Sequence, residues 1–311
     1  MEEKSKILVI SLAVVLIALP FVTAVAQDEN GTTTIESSSG SIFNFGTDAK
    51  SLAMGGAFVA VADNYSATYW NPAGLTQFSG VQLGGMNLQP YGVNGLNFSF
   101  GGGAVTIQNF AFGASYGQLS ASMTDQLGYA DSEFSSYSET MIGGTFAYGI
   151  DFAHFGVNAK SYQFKGQSGF GFDLGTLMTF DGISLGVAAN NVGGVSVSDN
   201  SSVSPSYRLG VAADLLDLAT ASAEVDLQGG NRVIRAGFEL LPIEQFALRG
   251  GVQVPGTGNP SFTVGAGINL AGLTVDIAWL QNNTEFAGRT GSGDTLVLSA
   301  GFQFGAFGES A

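Results

Sequence analysis

The chain has 311 residues, of which 11% are charged, with 46 Gly, 24 Phe, Lys+Arg of 10, no Cys and a formal net charge of −15. An ordinary soluble domain carries roughly 25% charged residues, so this chain is either apolar throughout or apolar on alternate residues. Without cysteine there is no disulfide, thiolate metal site or thiol nucleophile, and an acidic chain with no basic run has no means of holding nucleic-acid phosphates.

In chain order, the first element is the long apolar run from Ile7 to Ala26, interrupted by Pro20. It ends on Ala24-Val25-Ala26, the small-x-small pattern that a signal peptidase cuts, and turns polar at Gln27 and Asp28. Residues 1–26 are therefore expected to be a secretory signal peptide; the alternative is an N-terminal anchor, for which the run is just long enough. Residues 27–45 follow as an expected flexible N-terminal segment. Residues 46–79 do not alternate cleanly.

From residue 80 to 311 the chain alternates with period 2, the mark of strands with two different faces. Between Phe262 and Leu270, one face carries Phe262, Val264, Ala266, Ile268 and Leu270, and the other Thr263, Gly265, Gly267 and Asn269. Leu273, Val275, Ile277 and Trp279 oppose Thr274, Asp276 and Ala278; Leu296, Leu298, Ala300, Phe302 and Phe304 oppose Thr295, Ser299, Gly301 and Gln303. Each run is about the 9–11 residues a tilted strand needs to cross a bilayer. The polar face is small, hydroxylic or charged, whereas a water-soluble barrel fills its interior with Val, Ile and Leu. Apolar outward and polar inward is the membrane arrangement.

About fourteen such runs follow residue 80, within the range of outer-membrane barrels. Tight turns are expected at Gly149–Asp151, Asp181-Gly182, Leu215-Leu216, Leu241–Glu244 and Ala271-Gly272, and long polar connections at Leu119–Ser136, Asn191–Ser204, Pro255–Ser261 and Gln281–Gly293. The two classes mostly alternate, as short periplasmic turns and long external loops do; the Gly166-centred and Gln228–Asn231 connections are ambiguous in length. An even strand number places both mature termini on the periplasmic side. An unpaired backbone group costs several kcal/mol in hydrocarbon, so the first strand must pair with the last.

The non-alternating segment carries Met54-Gly55-Gly56-Ala57-Phe58-Val59-Ala60, then Ala62-Asp63-Asn64, then Ala67-Thr68-Tyr69-Trp70-Asn71-Pro72-Ala73-Gly74-Leu75. This resembles the opening of the PorV/PorQ and FadL-type outer-membrane proteins, and the resemblance continues through Ile183–Gly193, Arg235–Val252 and Gly272–Phe304. It implies an all-β, fourteen-strand antiparallel transmembrane barrel with residues 46–79 as a plug inside the lumen. By the same resemblance Asn71, Pro72 and Ala73 belong to that plug and lie by a kinked strand where a lateral opening forms. Trp70 and Gly74 complete the motif. Pro72 suits the first turn of a short helix with Asn71 as N-cap, and Gly55 and Gly56 allow close backbone approach to a wall. A packed folding element without a gating role fits the block equally well. The chain departs from fatty-acid transporters in its shorter barrel and modest loops.

Catalytic chemistry is poorly supplied. The single histidine, His154, lies at the start of a strand beside Asp151, and a satisfied rim histidine is the expectation. No metal cluster or cofactor is expected, and Gly101-Gly102-Gly103 and Gly169–Gly175 lack the Lys-Ser/Thr of a phosphate loop. The charges of interest are those expected to point inward: Arg208, Glu224, Asp226, Arg235, Glu239, Arg249 and Asp276. They form either a network that holds the plug or a polar ladder along a solute path. Loop acids Asp125, Asp131, Glu133, Asp199 and Glu285 are expected to be solvated. Three functions remain: a transporter for hydrophobic or small solutes, an accessory or shuttle barrel holding secreted proteins or secretion-system subunits, and a structural barrel. Outer-membrane lipids are the partner common to all three.

Overall fold

The computed structural model describes residues 34–35, 42–93, 95–121, 137–164, 166–198, 201–215, 218–282 and 293–305. The expected signal peptide and the five loop acids lie outside them. Alternation becomes fourteen strands: β1 Gly80–Leu88, β2 Leu96–Ile107, β3 Phe110–Ala121, β4 Tyr137–Ile150, β5 Ala153–Phe164, β6 Gln167–Phe180, β7 Ile183–Asn190, β8 Ser206–Leu215, β9 Ala219–Gln228, β10 Asn231–Ile243, β11 Phe246–Pro255, β12 Ser261–Leu270, β13 Leu273–Leu280 and β14 Thr295–Phe304. Each is antiparallel to the next, and β14 pairs with β1 from Val297↔Leu88 to Phe304↔Val81, so the ladder closes.

The two faces separate as the period demands. Phe262, Val264, Ile268 and Leu270 are exposed on the outside of β12 while Thr263 is buried; on β14 Leu296, Leu298, Phe302 and Phe304 are exposed while Ser299 is buried. This exposed apolar surface continues around the wall through Phe110, Ile142, Phe172, Leu185, Leu209 and Phe238. Contiguous apolar surface on that scale is foreign to a water-soluble monomer and is what a transmembrane barrel presents to acyl chains.

One end of the barrel carries the tight turns. Asp181-Gly182 and Ala271-Gly272 have positive φ at both central residues, the conformation that lets a two-residue hairpin follow the strand twist. The chain ends of the barrel, Gly80 and Phe304, lie at this same end. Two turns shift from the sequence expectation. The chain turns at 151–152 rather than within Gly149–Asp151, because β4 runs to Ile150. β10 continues to Ile243 across a register shift between Leu240 and Ile243, so its turn falls at 244–245 rather than Leu241–Glu244. At the opposite, long-loop end, the two ambiguous connections are both short, since Phe164 pairs with Gln167 and Gln228 with Asn231.

β7 has 8 residues against 14 in β6, and their pairing begins only at Leu174↔Ala189. Above that point the chain leaves the wall. Residues Val195–Ser198 and Ser201–Val203 form a small sheet with Thr34–Ile35. Val195 is fully buried there, packed over the inner face of β6 at Gly171.

Fourteen strands enclose more space than their own inward side chains can fill, and these side chains are mostly small. Residues 42–79 fill it, with 3-10 turns at Ile42–Asn44 and Pro72–Gln77 and short helices α1 Ala49–Ala53 and α2 Ala67–Trp70. Ile42, Met54, Phe58 and Leu75 are fully buried, with Leu52 and Trp70 close behind. The core of the molecule is this plug together with the inner surface it touches.

Candidate functional site

Asn71 organises the plug locally. Its backbone is extended, and its Oδ1 accepts the Ala73 N–H at 3.2 Å, so it caps the turn that begins at Pro72. Proline fits there because the missing N–H would have had no partner. The Asn71 Nδ2 donates to Val59 O at 2.8 Å and to Thr176 O of β6 at 3.1 Å. One buried amide therefore joins three pieces of backbone, two in the plug and one in the wall.

The wall accommodates this close backbone approach with glycines. A methyl at Gly156 would overlap Ala73 N and Pro72, one at Gly175 would overlap Asn71 Oδ1, and one at Gly186 would overlap Val59 O. Across the barrel, Gly237 and Gly251 face Met54 and Gly55 in the same way. Gly55 has φ +68, and a Cβ on it would lie 2.9 Å from Val252 N. Gly56, φ +72, lies against the Arg235 side chain and the Trp70 ring rather than the wall backbone. Within the plug, Gly74 packs on Ala62 O with no room for a side chain. The Trp70 Nε1 donates to Thr47 O at 2.9 Å, and its ring carries the Arg208 guanidinium at 4.8 Å.

All seven charged wall residues anticipated from alternation project inward, and the structure sorts them into two clusters. In the first, Glu224 Oε2 accepts both the Phe58 and Val59 N–H at 2.9 Å. Its Oε1 lies 3.3 Å from Arg235 Nη1, and Asp226 Oδ2 lies 2.9 Å from Arg235 Nη1 and 3.4 Å from Arg208 Nε. In the second, Arg249 joins Glu239 and Asp276, each at 2.6 Å. Lys50 of the plug lies 3.4 Å from Glu239 and 2.7 Å from Asp63.

Alongside the second cluster sits Asp48, in a left-handed backbone conformation with φ 76. It accepts from Ser299 Oγ at 2.9 Å and from Asn64 Nδ2 at 2.5 Å. Burial, reinforced by the Asp276 carboxylate, pushes its pKa up to about 6, although those hydrogen bonds and Arg249 oppose the rise. Burial works against the Lys50 charge too, but Asp63 and Glu239 outweigh it and hold the ammonium above its ordinary value.

Sequence reasoning missed a third group. Lys160 pairs with Asp173 at 2.6 Å, Asn158 Nδ2 donates to the same carboxylate at 2.8 Å, and so does the Asn191 N–H at 2.9 Å. Glu139 accepts the Ile42 N–H at 2.9 Å. The signal was present: Asn158 and Lys160 share one strand phase, and Asp173 shares the phase of Gly171 and Gly175. His154 Nδ1 lies 2.7 Å from Thr76 Oγ1, another contact between wall and plug. Among the described residues no group of three or more His, Asp or Glu could hold a metal ion.

The plug leaves a cavity at each end. The one at the short-turn end, about 410 Å³, is lined by the second cluster with Asp48, Lys50 and Asp63. The one at the long-loop end, about 340 Å³, is lined by Phe43, Phe45, Tyr69 and Trp70 together with Arg208, Asp226 and Arg235. No lining residue is common to the two. Both chambers carry ionised groups, and the one at the long-loop end adds four rings of the plug.

No protein-family model and no curated protein sequence matches the chain. Solved structures do. A TodX monoaromatic hydrocarbon channel carrying the deltaS2 mutation superposes with a TM-score of 0.66 at 14% identity, over 84% of this chain and 99% of that one. The P. putida toluene transporter TodX gives a TM-score of 0.61 at 13% identity, over 83% and 99%. At such identity the likeness is one of fold: a closed fourteen-strand barrel shaped like that of the FadL-like hydrocarbon channels.

Proposed function

We propose that the protein is an outer-membrane transporter through which small, largely apolar solutes diffuse without an energy source or cofactor of its own. The observation that carries this reading is the aromatic cavity at the long-loop end, seated on a plug inside a barrel shaped like the TodX channels. On this reading the long loops face outward, both mature termini are periplasmic, and residues 1–26 direct export.

The route follows from the contrast between the chambers. An apolar solute meets rings at the long-loop end. In the other chamber, whose lining is the more polar of the two, it would displace water from Glu239, Arg249 and Asp276, and buried charge stripped of water is costly. Exit through the wall avoids that cost. The place for it is the notch above the β6–β7 ladder, where Gln167–Asp173 lie beyond the β7 pairing and Val195 covers the inner side. Asn71 holds the same strand from within, which supports a gating role for the Trp70–Gly74 block. Purified protein in liposomes is expected to speed toluene entry over protein-free vesicles. Equal rates would overturn the reading.

A second reading, a PorV-like accessory or shuttle barrel for secretion, is favoured by the separation of the two chambers, because a barrel that only holds cargo needs no passage. Affinity capture from envelopes distinguishes them. Secreted proteins or secretion-system subunits retained on the barrel would support the shuttle, and bound lipid or hydrocarbon the transporter.

A further inference from the structure

The outer wall is not uniform around the barrel. A tilted strand crosses a bilayer in about 9–11 residues, so the ninth residue from the short-turn end still lies within the membrane. On β8, β9, β11, β12 and β14 that residue is Tyr207, Leu227, Val254, Phe262 and Leu296 in turn; on β2, β3 and β5 it is Ser99, Gln118 and Ser161. Alternation turns all of them outward. Hydrogen-bonding side chains form a continuous row here, Asn87↔Ser99↔Gln118↔Thr140↔Gln163, each directly opposite the next across β1 to β5. On the other flank of Asn87 the row stops at Leu298 of β14. No outward-facing side chain of β1 to β5 is charged. Asn87 Nδ2 donates to Asn97 Oδ1 at 2.8 Å and to Ser99 Oγ at 2.9 Å, whereas the side chains of Gln118, Thr140 and Gln163 have no hydrogen-bond partner among the described residues. These three are half-buried or exposed, so a group arriving from outside reaches them.

Nearer the short-turn end a second row crosses the same strands, this one of small residues: Gly103↔Ala114↔Gly144↔Ala159. The plug requires inward glycines such as Gly156 and Gly186. Nothing inside the chain requires Gly144, where a Cβ would meet no atom within 4 Å. Glycine weakens a strand, and within one it often marks the close approach of another backbone.

We infer that the outer wall of β2 to β5 is where a second copy of this chain docks about a two-fold axis. Amides and hydroxyls donate and accept at once, so the polar row is complementary to itself, as a two-fold contact requires. With no charge on the face, nothing in it repels an identical face. In hydrocarbon the unpartnered groups of one wall pair with those of the other, and the small residues let the two ladders come close, as small residues do between membrane helices. The contact leaves the β6–β7 notch facing lipid.

The chain has no cysteine, so single-cysteine variants report contact without background. In liposomes treated with a bifunctional thiol crosslinker, Gln118→Cys is expected to give a dimer, and Leu227→Cys, at the same height on the far wall, only monomer. Sedimentation of the purified barrel in mild detergent is expected to show a monomer–dimer equilibrium. Gly144→Phe, whose ring points into open space, should raise the dissociation constant about tenfold or more without lowering the melting temperature, and Gln118→Leu should raise it by less. A barrel that stays monomeric in both liposomes and detergent would overturn the inference, whether or not lipid is retained on its wall. So would equal crosslinking from Leu227→Cys, or Gly144→Phe and Gln118→Leu barrels that dimerise like the parent.

Discussion

The two charged clusters hold the plug by different means. At Glu224 the ionised groups belong to the wall, and the plug contributes uncharged partners, among them backbone N–H groups and the rings of Tyr69 and Trp70. At Glu239 the plug supplies ionised side chains of its own, Lys50 and Asp63, with Asp48 beside them. The first cluster is charge-balanced whether or not the plug is seated. The second has a wall share of two acids and one base, and depends on Lys50 to offset it. One anchor is therefore governed by hydrogen bonding, and the other responds to salt and pH.

The sharpest way to break this contrast is Glu224→Leu. Removing one member of a buried pair strands the remaining charge, at about 3–5 kcal/mol, and here two plug N–H groups are orphaned as well. A large fall in the urea midpoint is expected, whereas Glu239→Leu, whose neighbours line the larger polar chamber, should fall less and show the stronger salt dependence. Equal losses with equal salt dependence would erase the distinction. Next is Gly175→Val, which forces a side chain into Asn71; overpacking costs about 1–3 kcal/mol or more, visible as a lower melting temperature and faster proteolysis within residues 42–79. Asn71→Ala should cost about 1–2 kcal/mol through the lost cap and the lost tie to β6.

A pH profile is the most diagnostic test of the second anchor. The Asp48 carboxyl is raised from 3.8 to about 6 in the folded protein. A raised acid binds its proton more tightly when folded, so its contribution is full below about pH 4 and is lost as pH climbs to about 6. Asp48→Asn should therefore show a flatter melting temperature than the parent across that window, with the two curves parallel above it. Parallel curves throughout would show that Asp48 ionises freely.

Much of this architecture was legible in advance because a barrel wall is a local code. A period of two assigns each residue a side from its immediate neighbours alone, which is why Arg208, Glu224 and Asp276 could be placed inside without knowing what they met. Asn71 as cap and Pro72 as first helical residue were legible for the same reason. What was not legible is long-range. Nothing near Gly175 announces that Asn71 lies against it, 104 positions earlier in sequence, and nothing near Glu224 names Phe58. Lys160 and Asp173 were overlooked although their strand phase marked them, and the short connections from Phe164 to Gln167 and from Gln228 to Asn231 break the rule that this end of the barrel carries long loops.

Where plug backbone meets the wall most closely, the inner surface is Gly156, Gly175, Gly186, Gly237 and Gly251, which have no side chain to extend. At those points the wall has nothing with which to narrow the lumen. Were residues 42–79 withdrawn, the small and charged side chains left on the wall would not fill the cylinder, which would then leak water, ions and antibiotics. A cell making a shortened form that still folds should accordingly become sensitive to large drugs the envelope normally excludes, so that fewer than forty residues carry the permeability barrier for the whole molecule.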